Sequence, residues 1–345
     1  MFKTAISLLL LIFPVLVVRA PPPNPPTNLH VAGSAPTTAY LTVSGTNLVY
    51  KGQVVILRGE NFNNGPALSC CGGPNINLIN ANASDYAQAR NVLGANMIRF
   101  GLDYYWYSAN RTTFFTVMDQ HVAWAKANHL WMIPVMFISP GDPGGDPFSG
   151  QDGFWGSSAN MQLLINFWQD FATHYANEPN IAGYDIYNEP GPPSLAAYTS
   201  WCQSAYTAIT AVDPNHFVAL ESDGGDGNGS LPAVIGTRIL WSSHCYNPVG
   251  GGCTFCGSSP GSPSKWPFWI GEMGATGSPG SGTSYVAANL ANYNQQGISW
   301  SHFVMHWSSG GYGLYQSWTA GDFSSPWTQM IQVVQNATKG TIYPQ

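Results

Sequence analysis

The chain has 345 residues, 44% hydrophobic and 13% aromatic, with 11 basic and 17 acidic side chains and a formal charge of −6. This excludes a charged disordered chain, a coiled coil and a polybasic nucleic-acid binder, because no basic stripe exists to meet phosphates. The length suits one barrel of about 250 residues with insertions.

Residues 1–20 read as a secretory leader. Lys3 charges a short start, Ala5 to Val18 are apolar, and Val18-Arg19-Ala20 offers small residues for cleavage, although Arg19 and Pro21 suit a peptidase poorly. At about 14 apolar residues the segment is short for a membrane span. Export is therefore expected, with an extracellular location and no membrane partner. Residues 21–39 form a stiff linker around Pro21, Pro22, Pro23, Pro25 and Pro26. Residues 40–345 are expected to form the folded body.

That body opens with a β-hairpin from Leu41 to Val55, turning at Gly45 and Asn47. Eight apolar runs follow: Val55–Gly59, Met97–Leu102, Met132–Phe137, Ile181–Tyr187, Phe217–Glu221, Ile239–His244, Phe268–Gly271 and Ser299–Met305. Continuous apolar runs suit parallel strands buried on both faces. Helical patterns lie between most of them. Met161–Ala176 places Leu164, Phe167, Trp168, Phe171 and Tyr175 on one face, and Leu195–Val212 starts after Ser194 and stops before Pro214. The sixth-to-seventh connection has the weakest helical pattern. The reading is an α/β fold, a (β/α)8 TIM barrel, since the alternative open doubly wound sheet lacks a Gly-rich phosphate loop after its first strand.

Six cysteines, Cys70, Cys71, Cys202, Cys245, Cys253 and Cys256, favour disulfides in an exported protein. Cys253-Thr-Phe-Cys256 has redox spacing but sits in a Gly/Ser loop. Gly257-Ser258-Ser259-Pro260-Gly261 matches a serine-hydrolase elbow only formally, because Pro260 stands where the helix should begin. Sequons at Asn82, Asn110, Asn228 and Asn336 are expected by chance in so Asn- and Ser-rich a chain.

In such barrels the chemistry sits where strands end. Only five glutamates occur, Glu60, Glu178, Glu189, Glu221 and Glu272. Glu189 ends the fourth run in Asn188-Glu189-Pro190, and Glu272 ends the seventh in Gly271-Glu272-Met273. A single glutamate at such a place is ordinarily a solvated loop carboxylate. Two, on strands that face each other across a barrel mouth, form the pair that glycoside hydrolysis needs. Sequence spacing alone does not choose between retention and inversion.

With these residues in place, the chain from about Leu41 to Val334 resembles glycoside hydrolase family 5, retaining β-glycosidases on a (β/α)8 barrel. The resemblance is carried by Leu57-Arg58-Gly59 with Asn61, Asn96-Met97-Ile98-Arg99-Phe100, the run from Phe167-Trp168 to Asn188-Glu189-Pro190, His244-Cys245-Tyr246, Gly271-Glu272 and Trp307. It implies that Glu189 is the acid/base and Glu272 the nucleophile. Arg99, Asn188, His244, Tyr246 and Trp307 would serve substrate binding. Asn188 would meet the sugar 2-hydroxyl, Tyr246 would orient the nucleophile, His244 would lie near the acid or the sugar, Arg99 would keep Glu272 ionised and Trp307 would floor the sugar subsite.

One departure stands out. Much of the family has a histidine near the end of strand three, where this chain reads Val135-Met136-Phe137-Ile138-Ser139. Glu221 and Asp185 are expected to be structural. Asp103 and the aromatic run Tyr104–Tyr107 either line a subsite or pack a loop. A calcium site in the loop of Asp142, Asp146 and Asp152 or at Asp223, Asp226 and Asn228 is disfavoured, and no cofactor or metal is expected. The expected partner is a polysaccharide, β-glucan or β-mannan, met by a monomer. The expected activity is endo-cleavage of β-1,4-glucan, with endo-β-1,4-mannanase and a non-catalytic sugar-binding barrel as alternatives.

Overall fold

The structure is a computed structural model that describes residues 39–62, 81–141, 152–223, 229–247, 266–275, 282–307 and 312–345. The expected leader, most of the linker, four of the six cysteines, the elbow-like Gly257–Gly261 and most of both candidate calcium loops lie outside the described residues.

The chain enters through a three-stranded antiparallel meander, β1 (Thr42–Ser44), β2 (Asn47–Tyr50) and β3 (Gln53–Val55). The expected hairpin thus gains a strand, because the turn at Lys51-Gly52 lets Gln53–Val55 fold back on β2. Eight parallel strands then close into a barrel: β4 (Arg58–Phe62), β5 (Met97–Asp103), β6 (Trp131–Ile138), β7 (Gly183–Asp185), β8 (Phe217–Glu221), β9 (Ile239–Asn247), β10 (Phe268–Ala275) and β11 (Ser299–His302). All eight expected runs are strands of the barrel. The first lies three residues later than expected, since Val55 belongs to the meander.

Helices α1 (Ala83–Asn91), α2 (Tyr104–Ala109), α3 (Arg111–Ala127), α4 (Asp152–Trp155), α5 (Ser158–Tyr175), α6 (Leu195–Val212), α7 (Thr283–Gln296) and α8 (Thr328–Ala337) complete the described elements. The α5 face expected from the sequence is buried, and the Ser157 hydroxyl caps the helix by accepting from the Asn160 amide. Helix α6 has the expected bounds, capped by Ser194. Two sequon asparagines act as caps. Asn82 forms a capping box with Asp85 at α1, and Asn110 accepts from the Thr113 amide at α3. Among the described residues no helix joins β8 to β9, and none is long and apolar enough to cross a membrane.

Alternation along the strands divides the core. On β5, Ile98, Phe100 and Leu102 face the helical layer, while Met97 joins the barrel interior. The interior floor is Leu57, Met97, Trp131, Ile133, Phe217, Ala219, Leu240 and Trp269, packed in one cluster with Leu41, Leu48, Tyr50 and Val55 of the meander. The meander therefore stoppers the end of the barrel where the strands begin. Tyr50 meets Trp131 edge to face at 5.1 Å, and burying each such side chain contributes about 1.5–3 kcal/mol. Gly59 admits the close approach of β5, since a Cβ there would lie 2.1 Å from the Met97 carbonyl oxygen. Further along the same inward stripes the side chains turn polar: Asn61, Arg99, Asp185, Glu221, His244 and Glu272. That change of chemistry places the site.

Candidate active site

Arg99 is fully buried in mid-barrel, so its charge must be met by partners there. Nε donates to Asp185 at 2.9 Å, and Nη2 donates to Glu221 and to Asn188 Oδ1, each at 2.8 Å. Nη1 donates to Asn61 Oδ1 at 3.1 Å and to Glu272 Oε1. Five N–H groups thus meet five acceptors from four strands or strand ends, the geometric match that a guanidinium offers and an ammonium does not. Its faces are covered by Phe137 and Trp269, whose ring centres lie 5.1 and 5.7 Å away. Arg99, expected among the substrate-binding residues, is instead a strut enclosed by protein.

Glu272 on β10 takes Arg99 on Oε1 and the Tyr246 hydroxyl on Oε2. The strand shifts register between Ile270 and Glu272. Gly271 there leaves room for β9, because a Cβ would lie 2.7 Å from Ser242 Oγ and 3.2 Å from His244 Nε2. Tyr246, further along β9, reaches the Glu272 carboxylate with its hydroxyl.

Glu189 does not end a strand. β7 stops at Asp185, and Glu189 follows in a turn with φ of 45°, a left-handed backbone costly for a residue with a Cβ. Its carboxylate meets His244 Nδ1 at 2.8 Å. Burial raises the Glu189 carboxyl to about 7. The His244 hydrogen bond and charge oppose that rise, and the Glu272 and Glu221 charges add to it. His244 itself is pushed well above the ordinary histidine range. Burial disfavours its charge, but Glu221 and Glu272 together with hydrogen bonds to Glu189 and Glu221 outweigh it. His244 has no exposed surface, so it touches Glu189 and not the solvent.

One oxygen of Glu189, one of Glu272 and one ring nitrogen of His244 lie within 4.8 Å of one another. Such a set has the donor types to hold a cation, yet all three groups already engage one another or Arg99 and Tyr246. Asp185 is raised far above the usual carboxylate range by burial and by the neighbouring Glu221 charge, against Arg99.

Trp307 is not brought against either acid by any contact described. It packs tilted against Trp318 at 4.8 Å and meets Phe303 and Tyr312 at 5.9 Å. Tyr312 in turn meets Tyr246 at 5.2 Å, so an aromatic wall runs from the tyrosine bonded to Glu272 to Trp307. The third barrel strand lies where the sequence put it, and near its end, the stretch that lacks a histidine, Phe137 lies over Arg99.

Asp103 caps α2 through the Tyr105 amide at 2.7 Å, and burial raises its carboxyl to about 6, opposed by hydrogen bonds from the Tyr105 and Trp106 amides. Trp106 packs on Phe114, and Tyr107 donates to Asp170, so the aromatic run packs its loop. Of the two described cysteines, Cys202 is a free thiol buried in α6, where burial pushes its pKa well up. Sequence reasoning missed how central Glu221 and Asp185 are. The signal was Arg99 itself, because a buried guanidinium demands several carboxylates and few acids in this chain end an apolar strand.

A closed parallel barrel with an apolar floor, carrying two opposed carboxylates towards the C-terminal side of its strands, is the architecture of the barrel glycoside hydrolases. Residues 55–310 match the family profile of cellulase, glycosyl hydrolase family 5. The chain belongs to that family. A β-xylosidase of Phanerodontia chrysosporium is 26% identical over 225 residues, 54% of this chain and 46% of its own length. An endoglucanase of Paenibacillus polymyxa is 31% identical over 124 residues, 29% of this chain and 31% of its own. The chain thus spans less than half the length of these curated relatives. The crystal structure of the catalytic domain of an endoglucanase of Thermobifida fusca, also solved as a variant with cellotetraose, superposes with a TM-score of 0.66. It is 20% identical and covers 87% of this chain and 97% of that one. An endogalactoceramidase structure gives a TM-score of 0.70 at 18% identity, covering 86% and 84%.

Proposed function

We propose that this chain is a secreted endo-β-1,4-glucanase working by retaining double displacement. The observation that carries the mechanism is the approach of Glu189 and Glu272 oxygens to within 4.8 Å. Retaining glycosidases hold their carboxyl groups about 5–5.5 Å apart, whereas inverting enzymes leave roughly 6.5–9.5 Å for a water.

Glu272 attacks the anomeric carbon while Glu189, protonated below about pH 7, gives its proton to the departing glycosidic oxygen. The glycosyl ester on Glu272 is then cleaved by a water whose proton returns to Glu189. Arg99 and Tyr246 hold the nucleophile's two oxygens in place. Asn188, turned by Arg99 through its carbonyl oxygen, presents its amide NH2 to the sugar 2-hydroxyl. Trp307 supplies a ring face to the sugar. These roles need carboxylates and an aromatic face and no cofactor. The glucan preference rests on the family, on the endoglucanase relative and on the cellotetraose complex of a structural neighbour. Secretion rests on the leader-like residues 1–20.

The test is reducing-sugar release from carboxymethylcellulose, galactomannan and xylan, with Glu272→Ala as control and the product anomer followed by proton NMR. Glucan cleavage giving the β-anomer first, absent in the variant, is expected. Release from galactomannan alone would move the substrate to β-mannan, an initial α-anomer would overturn retention, and sugar binding without release would leave a binding barrel.

A further inference from the structure

The retaining mechanism needs two carboxylates, yet the barrel mouth holds four; Asp185 and Glu221 are left over, and of these Glu221 is the one that also touches the acid. It ends β8 at 2% exposure, and each of its oxygens is committed. Oε1 accepts Arg99 Nη2 at 2.8 Å and lies 3.2 Å from His244 Nε2. Oε2 accepts the backbone N–H of Glu189 at 2.8 Å. That last bond falls on the residue whose backbone is left-handed, so it helps hold a conformation the chain would not choose unaided. The Tyr198 hydroxyl on α6 fixes the Glu221 carbonyl at 3.0 Å, anchoring the carboxylate's own backbone.

We infer that Glu221 is the positioning residue of the acid/base: a single carboxylate that locks the Glu189 backbone, meets His244 on its far side and ties both to the Arg99 strut. The inference rests on the retaining reading above. Against burial, His244, Arg99 and the Glu189 amide keep Glu221 below the ordinary glutamate range, so it stays an anion. The charged and titratable groups around the acid are His244 and Tyr246 from β9, Glu272 from β10, Arg99 from β5, Asp185 from β7 and Tyr312 beyond β11. The Glu221 charge raises the proton affinity of both Glu189 and His244. Removing it while keeping the shape therefore lowers both.

The experiment uses Glu221→Gln and Glu221→Asp in the full chain, with kcat/KM measured on phenyl and on 2,4-dinitrophenyl β-cellobioside. The dinitrophenolate leaves without a proton, whereas phenolate needs one. A residue acting through the acid should make Glu221→Gln lose about 30-fold more on the phenyl than on the dinitrophenyl substrate. The alkaline limb on the phenyl substrate should move down by about one pH unit. Glu221→Asp keeps the charge and should hold the limb in place. Equal losses on both substrates with an unmoved limb would reduce Glu221 to packing and overturn the inference.

A second readout needs no turnover. In protein with 13C-labelled histidine, the His244 titration should move to lower pH in Glu221→Gln, and an unmoved titration refutes the inference. If Glu221→Gln does not fold, a leaving-group bias of about fivefold in Glu221→Asp is expected, and its absence refutes. Wild-type protein that cleaves neither cellobioside would count against the glucanase reading, and the histidine titration would then decide the inference alone.

Discussion

The sharpest consequence of the site concerns pH. Burial and the Glu272 and Glu221 charges place the Glu189 carboxyl at about 7, against an ordinary 4.5. At pH 5 an ordinary glutamate is about one-quarter protonated, whereas a group near 7 is about 99% protonated. At pH 8 the latter falls to about one-tenth. Glycosylation by a poor leaving group should therefore be flat from pH 5 to 6 and drop about tenfold for each unit above 7. His244 acts against this rise, through its hydrogen bond and its charge. His244→Asn removes that opposition and should push the alkaline limb upward, opposite in sign to the shift expected for Glu221→Gln. The assay is kcat/KM on phenyl β-cellobioside across pH 4–9, wild type against variant, with enzyme re-assayed at pH 6 to exclude unfolding. A limb near pH 5 in the wild type, or a downward move in His244→Asn, would refute the reasoning, because either would mean the acid is not set by burial and its neighbours.

Further outcomes follow from the same frame. Arg99→Met strips the counter-charge from Glu221 and Glu272 and should cost about 3–5 kcal/mol, read as a lowered urea midpoint, while Arg99→Lys should recover only part because it lacks the fork. Tyr246→Phe removes the donor to Glu272 Oε2, and kcat on a soluble glucan should fall by more than about tenfold with thermal unfolding nearly unchanged. Trp131→Ala empties the barrel floor against Tyr50 and should cost about 3–5 kcal/mol in denaturant unfolding. His121 is buried beside Tyr86, and burial lowers it to about 4 from 6.5. The unfolded chain takes up that proton at higher pH than the folded one. The contribution is therefore whole above pH 6.5 and is lost as pH falls towards 4, up to about 3 kcal/mol. Equal urea midpoints at pH 7 and pH 4.5 for wild type and His121→Leu would contradict this.

Strands were legible because parallel barrel strands are apolar on both faces, so each printed a continuous run that needed no knowledge of its partners. Glu189 and Glu272 were legible because they broke such runs in a chain nearly without glutamate. Two kinds of information were not local. The third strand of the meander depends on a left-handed Lys51-Gly52 turn and on the barrel floor beneath it, neither of which leaves a periodic trace. The bonds of Glu221 and Asp185 span 122 and 86 residues to Arg99, and pairing at such separations is fixed only by barrel closure. Glu189 was assigned to a strand end, whereas the turn that carries it is held by a bond from β8.

The apolar floor also governs where protons travel. Below the charged layer lie Trp131, Trp269, Leu57, Met97 and Leu240, each with no exposed surface, and the meander covers them. These five side chains carry no titratable group, so they offer Glu189 no proton relay, and under the proposed function its exchange with bulk water would run through the mouth that a glucan chain enters. While a chain occupies the mouth that exchange is shut, and the proton given to the leaving group is regained from the one water that completes the turnover. In single-turnover experiments a solvent isotope label should therefore enter the acid with the hydrolytic water, at the rate of hydrolysis.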